Sequence, residues 1–148
     1  MRRIVLDTNV WISALGWRGV TRRAFRIVLN SWDVVISPPI LEEIERVMVY
    51  PKLQKVFSAS RRKRLLSFIK KVTLLVKPSS KLNLVTEEES DNRFLEAALE
   101  SGAKVIMAGD RHLIELSREK LLKVFPEGIE ILTPREFLDR SGDLQSGG

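Results

Sequence analysis

Apolar and polar positions along the chain fall into two alternating rhythms. Short, β-branched runs such as "RIVL" (3–6), "WDVVIS" (32–37), "TLLVK" (73–77), "AKVIMAG" (103–109) and "GIEIL" (128–132) are too brief for helices and read as buried strands. Between them, apolar residues recur every three to four positions. That spacing predicts helices over Asn9–Leu15, Thr21–Asn30, 39–48, Ser60–Lys71, 92–101 and 111–116, with one more after Thr133-Pro134. Ser37-Pro38 and Thr133-Pro134 each place a capping side chain before a proline suited to the first helical turn. Asp91 opens the helix "NRFLEAALES", and Gly102 closes it. Segment 78–90 reads as loop. Strands alternating with helices predict an α/β domain with a mostly parallel sheet, over residues 1–140, and the tail "SGDLQSGG" (141–148) reads as flexible.

One polar residue breaks the pattern. Asp7 interrupts the apolar stretch "IVLDTNVWI", where an unpartnered carboxylate loses several kcal/mol of hydration. Asp110 likewise stands just past an apolar strand. Open parallel sheets bind ligands at the carboxyl ends of strands, so neighbouring positions for these two strands would put both aspartates in one crevice. An ordinary helix cap explains either one taken alone. Asp91 shares a helix face with Phe94, Leu95 and Ala98, an inward direction a solvated cap does not need, although the helix dipole would also favour it there. On the 39–48 helix the stripe Ile40, Leu41, Ile44, Val47 and Met48 turns Glu42 outward and leaves Glu43 at its border, inward-facing or simply a boundary glutamate. Should Asp7, Glu43, Asp91 and Asp110 converge, their repulsion calls for a cation. With oxygen ligands, no cysteine and a single histidine, Mg²⁺ or Mn²⁺ suits them better than zinc.

Composition narrows the classes. The 148 residues suffice for one domain with a real core, and zero cysteines exclude a disulfide framework and thiolate metal sites. The apolar stretch after Arg2-Arg3 is interrupted by charge and lacks a small-residue cleavage site, so a cytoplasmic protein without a membrane role is expected. A formal charge of +6 favours a polyanionic partner such as nucleic acid. Within "RRKRLLSFIKK", however, Lys63, Arg64, Lys70 and Lys71 project away from the apolar stripe and read as a solvated face.

In their order, "IVLDTNVWISAL", "SPPILEEIERVM", "SDNRFLEAALESGAKVIMAGDRHLIEL" and "ILTPREFL" resemble the PIN-domain family over nearly the whole chain, closest to prokaryotic single-domain members regarded as toxins of toxin–antitoxin pairs. The resemblance implies a three-layer α/β/α fold and a metal-dependent endoribonuclease whose acidic set falls on Asp7, Glu43, Asp91 and Asp110. It implies supporting roles for Asn9, Thr8 and Ser37, a homodimer, and an antitoxin partner. The chain departs from the family pattern twice. Ala108 stands where a hydroxyl usually precedes "GD", and Ser90 where an acidic residue often precedes the third aspartate, although Glu88 is near enough to substitute.

Under that resemblance, divalent ions held chiefly by Asp7 and Asp110, with Asp91 and Glu43 completing the shell, would activate water against an RNA phosphodiester. Arg18, Arg22, Arg23 and Arg111, near segments flanking the crevice, are the expected phosphate contacts; His112 reads as a helix-side residue. Of Trp11, Trp17 and Phe25, any left exposed would suit a docking surface. Two other classes stay open: a non-catalytic RNA-binding or assembly module of the same fold, and an aspartate-nucleophile phosphatase, for which Asn9 departs from the required D-x-D.

Overall fold

In the computed structural model each apolar run becomes a strand: β1 (Arg3–Leu6), β2 (Asp33–Ile36), β3 (Thr73–Leu75), β4 (Val105–Met107) and β5 (Glu130–Leu132). Residues 2–146 are described, with side-chain surroundings up to residue 141. Every pairing is parallel, and the spatial order is β3-β2-β1-β4-β5. The chain therefore builds outward from β1 in one direction, then returns to place β4 on its other side. The sheet is the middle of three α/β/α layers.

The helices are α1 (Thr8–Gly16), α2 (Val20–Ser31), α3 (Pro38–Met48), α4 (Ala59–Val72), α5 (Asn92–Ser101), α6 (Arg111–Ile114), α7 (Arg118–Val124) and α8 (Pro134–Ser146). Helix α5 lies across β1, β2 and β4, while α2 packs on β2, α1 and α8. Short 3₁₀ turns cover Pro51–Leu53 and Glu89–Asp91. Neither of these, nor α7, was expected from periodicity. Helix α7 nonetheless carries a start signal, because the Ser117 hydroxyl accepts from the Lys120 N–H. The boundary expected at 140 falls inside α8, whose backbone continues to Ser146, and residues 147–148 lie outside the described residues.

Caps differ from expectation in an informative way. Thr133 and Glu136 form a reciprocal capping box at α8, and Gly102 ends α5 at φ +75°. Ser37 occupies the cap position of α3 yet makes no cap bond, and its buried hydroxyl has no partner among the described residues. The last carbonyls of α1 are capped by arginines instead. Arg22 donates to Ala14 and Leu15, and Arg61 donates to Leu15 as well.

The core is continuous across the sheet, with Trp11 fully buried and packed edge-on against Phe25 at 5.4 Å between ring centres. Trp17, by contrast, is 45% exposed beside Phe57. Truncating Trp11 to alanine empties a large volume beneath α1, the helix that Asp7 caps. Chemical denaturation should register a loss of about 3–5 kcal/mol.

Candidate active site

Strand pairing brings the aspartates together. Leu6 is in register with Met107, so Asp7 stands one residue and Asp110 three residues beyond the paired ends of adjacent strands. Those strands flank the point where the chain reverses its direction across the sheet, the crevice in which open α/β sheets bind ligands. A cavity of about 320 Å³ opens there, lined by Asp7, Thr8, Asn9, Glu43, Arg46, Tyr50, Glu88, Ser90, Asp91, Phe94 and Asp110.

Asp7 is 1% exposed and is held from three sides. Its Oδ1 accepts from the Val10 N–H at 2.8 Å, and Oδ2 accepts from the Gly109 and Asp110 N–H groups at 2.9 and 3.1 Å. It is thus the cap of α1 and also the tie between β1 and the loop after β4. Burial raises its pKa to about 6 despite those three N–H donors, with the Asp110 charge adding a little. One acceptor position on Oδ1 stays free.

Asp110 caps α6 through the His112 N–H at 2.7 Å. Asp91 does not behave as a cap at all. It makes no cap bond, is 5% exposed, and its buried Oδ2 has no partner among the described residues. Burial first, then the charges of Asp110, Glu88 and Asp7, raise its pKa to about 8; protonated, it lies within hydrogen-bonding reach of Asp110. The same crowding of negative charge that opposes ionisation of Asp91 would be offset by a cation.

Glu43 faces the cavity as its border position suggested, while Glu42 is exposed. Arg93 of α5 donates to Glu43 Oε2 at 2.8 Å and to the Pro39 carbonyl at 3.1 Å, pinning α3 to α5. The loop before Asp91 is pinned by Asn92. Its carboxamide accepts from the Leu84 and Val85 N–H groups and donates to the Val85 and Glu89 carbonyls, all within 3.0 Å. Glu88, held by the Ser90 hydroxyl at 3.0 Å, consequently lines the cavity. Asn92→Ala would strand these backbone groups, and we expect it to cost roughly 2–4 kcal/mol, with limited proteolysis cutting first within 80–90.

The site differs from the sequence expectation in several places. Thr8 and Asn9 line it, whereas Ser37 does not. Arg18 and Arg23 are exposed on the far side of α1, and Arg22 is spent on the carbonyls there. Arg111 is exposed beside Glu115 at 3.8 Å. None of these four arginines lines the cavity, and neither does His112. Arg46 and Tyr50, which periodicity did not single out, do. For Arg46 a signal was present in the sequence, since positions 43 and 46 share one side at helical spacing, whereas Tyr50 lies beyond the end of α3.

Whether the residues suit a divalent cation turns on Asp91 Oδ2, a buried oxygen with no partner among the described residues and an excess of like charge around it. Hard oxygen donors of this kind fit Mg²⁺ or Mn²⁺. Among the described residues no three acidic or imidazole groups are already gathered as an ion cage, so a water-rich coordination suits the cavity better than an all-protein one. A larger hollow of about 860 Å³ lies at the opposite, N-terminal edge of the sheet. Its charged residues are engaged locally, Arg2 over the Trp32 ring, Arg3 on the Ser101 carbonyl and Arg140 with Glu130.

Comparison with known proteins agrees with this fold. The uncharacterized protein MJ1680 of Methanocaldococcus jannaschii is 35% identical over 141 residues, covering 93% of this chain and 90% of that one. The crystal structure of VapBC2 from Rickettsia felis bound to a DNA fragment from their promoter is similar in fold, with a TM-score of 0.58, 14% identity, and coverage of 88% of this chain and 98% of that chain. The family model described as PIN domain matches residues 3–112, a span that contains every acidic residue of the cavity, and the chain belongs to the PIN-domain family.

Proposed function

We propose that this protein is a Mg²⁺- or Mn²⁺-dependent endoribonuclease and the toxin of a toxin–antitoxin pair. PIN domains are generally nucleases. The observation that carries the finer reading is the convergence of Asp7, Asp91 and Asp110 at the sheet's reversal point with Asp91 Oδ2 unpartnered.

Asp7, Asp91 and Asp110 would hold the ion, with Glu43 and Glu88 contributing through water. When bound, the divalent ion neutralises the cluster, polarises a phosphate oxygen and acidifies a water. Asp7, locked by its three N–H donors, keeps its free Oδ1 position aimed by the backbone rather than by a rotamer. Glu43 Oε2 already accepts from the Arg93 guanidinium. Asp91 has no such partner, and its carboxyl group is the one we assign to accept the proton of the attacking water. Thr8 and Asn9 shape the floor beside Asp7.

An antitoxin partner, a homodimer and a cytoplasmic setting belong to the same reading. VapBC2, the similar fold, was solved on promoter DNA. Among the described residues no helix is long and apolar enough to cross a membrane. The test is cleavage of end-labelled RNA with Mg²⁺, Mn²⁺ or EDTA, for the native chain and Asp110→Asn. Metal-dependent cleavage lost in the variant is expected. Binding without cleavage under every metal would instead identify a non-catalytic module, and phosphate release from a small ester with intact RNA would identify a phosphatase.

A further inference from the structure

We propose that Arg46 and Tyr50 form the contact for the substrate strand, the Arg46 guanidinium on a phosphate and the Tyr50 ring stacked on an unpaired base. This rests on the ribonuclease reading above and names the residues that would grip its substrate. Arg46 is the one cation among the described residues lining a cavity whose other charged residues are all carboxylates. Neutralising those carboxylates is not its task. Glu43, one turn before it, is paired with Arg93, and among the described residues Arg46 has no ion pair or side-chain hydrogen bond. An acidic pocket repels a polyanion, so a free guanidinium at its rim is placed to offset that repulsion, with a fork of donors matched to phosphate oxygens.

Tyr50 supplies the second half. The residue is 42% exposed, yet its backbone is held. Its N–H donates to Val47, its carbonyl accepts from Leu53, and Pro51 holds it extended at φ −60° and ψ 138°. A half-exposed aromatic on a held backbone, four residues after an unpaired arginine and lining the same cavity, is a stacking platform, and a platform of this kind reads bases that are not already stacked in a duplex.

Fluorescence anisotropy of a mixed-sequence 12-nucleotide RNA, single-stranded or as its duplex, in EDTA tests this without any turnover. Arg46→Gln should weaken single-strand binding about 10-fold and reduce the slope of log K against log salt by about 0.7, with Arg46→Lys keeping the slope. Tyr50→Ala should weaken it about 10-fold and Tyr50→Phe hardly at all, with duplex binding indifferent to both. In cleavage assays KM should rise while kcat stays within a few-fold. Melting curves matching the native chain will show that these surface variants fold. Unchanged affinity and slope in both Arg46→Gln and Tyr50→Ala would overturn the proposal, as would a native chain that binds no single strand. Altered oligomeric state in Tyr50→Ala with unaltered RNA binding would reassign Tyr50, with its exposed neighbour Val49, to a protein interface. Strand binding with these sensitivities but no cleavage would sink the nuclease reading and leave this contact standing. Cleavage untouched by either variant would do the reverse.

Discussion

Asp91→Asn is expected to lower metal-dependent RNA cleavage by at least about 100-fold while making the metal-free protein more stable at pH 8. Both effects come from one carboxyl group. Asp91 Oδ2 is buried and unpartnered among the described residues, and burial together with Asp110, Glu88 and Asp7 opposes its ionisation. Asparagine removes the charge that the fold tolerates badly and, with it, the ligand and proton acceptor that the chemistry needs. Cleavage kinetics and thermal melting on the same preparation measure the two sides. Asp7→Asn should abolish activity as well but bring no comparable gain in stability. Its carboxylate accepts on both oxygens, and an amide that accepts from Val10 on one side presents a donor to Gly109 and Asp110 on the other. A variant that melted lower than the native chain at Asp91, or that kept full activity, would contradict this account of the site.

The second large effect is a pH dependence that a divalent ion should flatten. Asp7 has its pKa raised from 3.8 to about 6, and Asp91 from 3.8 to about 8, both chiefly by burial. A carboxyl whose folded pKa is raised binds its proton more tightly in the native than in the unfolded chain. The contribution is therefore fully present below about pH 4 and is lost as pH rises through the folded values. For Asp7 alone the shift corresponds to on the order of 3 kcal/mol. The metal-free protein should accordingly melt lower at pH 8 than Asp91→Asn does, with the gap closing toward pH 5. Mg²⁺ or Mn²⁺ at about 100 times its Kd adds roughly 2.7 kcal/mol, or about 5–10 °C in Tm for a chain of this size. That gain should shrink at pH 5, where protons compete for the same oxygens. Equal metal stabilisation at both pH values would mean that the ion binds elsewhere.

Much of the architecture was legible because it depends on local chemistry. Five short apolar runs became five parallel strands, and Gly102 closed its helix in the left-handed conformation that glycine permits. Helical angles alone turned Glu43 to the cavity and Glu42 to solvent. The cap interpretation of Asp7 and Asp110 also proved right in the literal sense, since each caps a helix while lining the crevice. The same interpretation fails at Asp91, which sits at a helix start without capping it.

The surroundings of the arginines were not legible in the sequence. Their roles depend on which distant backbone or carboxylate lies within reach, and a guanidinium on a flexible stem responds to partners that no local pattern encodes. Arg22 and Arg61 converge on the Leu15 carbonyl from different helices, and Arg93 crosses from α5 to Glu43 fifty residues earlier. Arg93, and not Arg46, pairs with the glutamate one turn away.

The sequence by itself determined the strands and most of the helices, and the side of its element on which each acidic residue stands, because burial periodicity and cap chemistry act over a few residues. Only the tertiary structure decided that β1 and β4 are neighbours, that Glu88 and Arg46 join the cavity, and that Asp91 is left without a partner. Those outcomes depend on strand order and on contacts between segments as much as a hundred residues apart, where the choice of partner is settled by packing the whole sheet and not by any stretch of it.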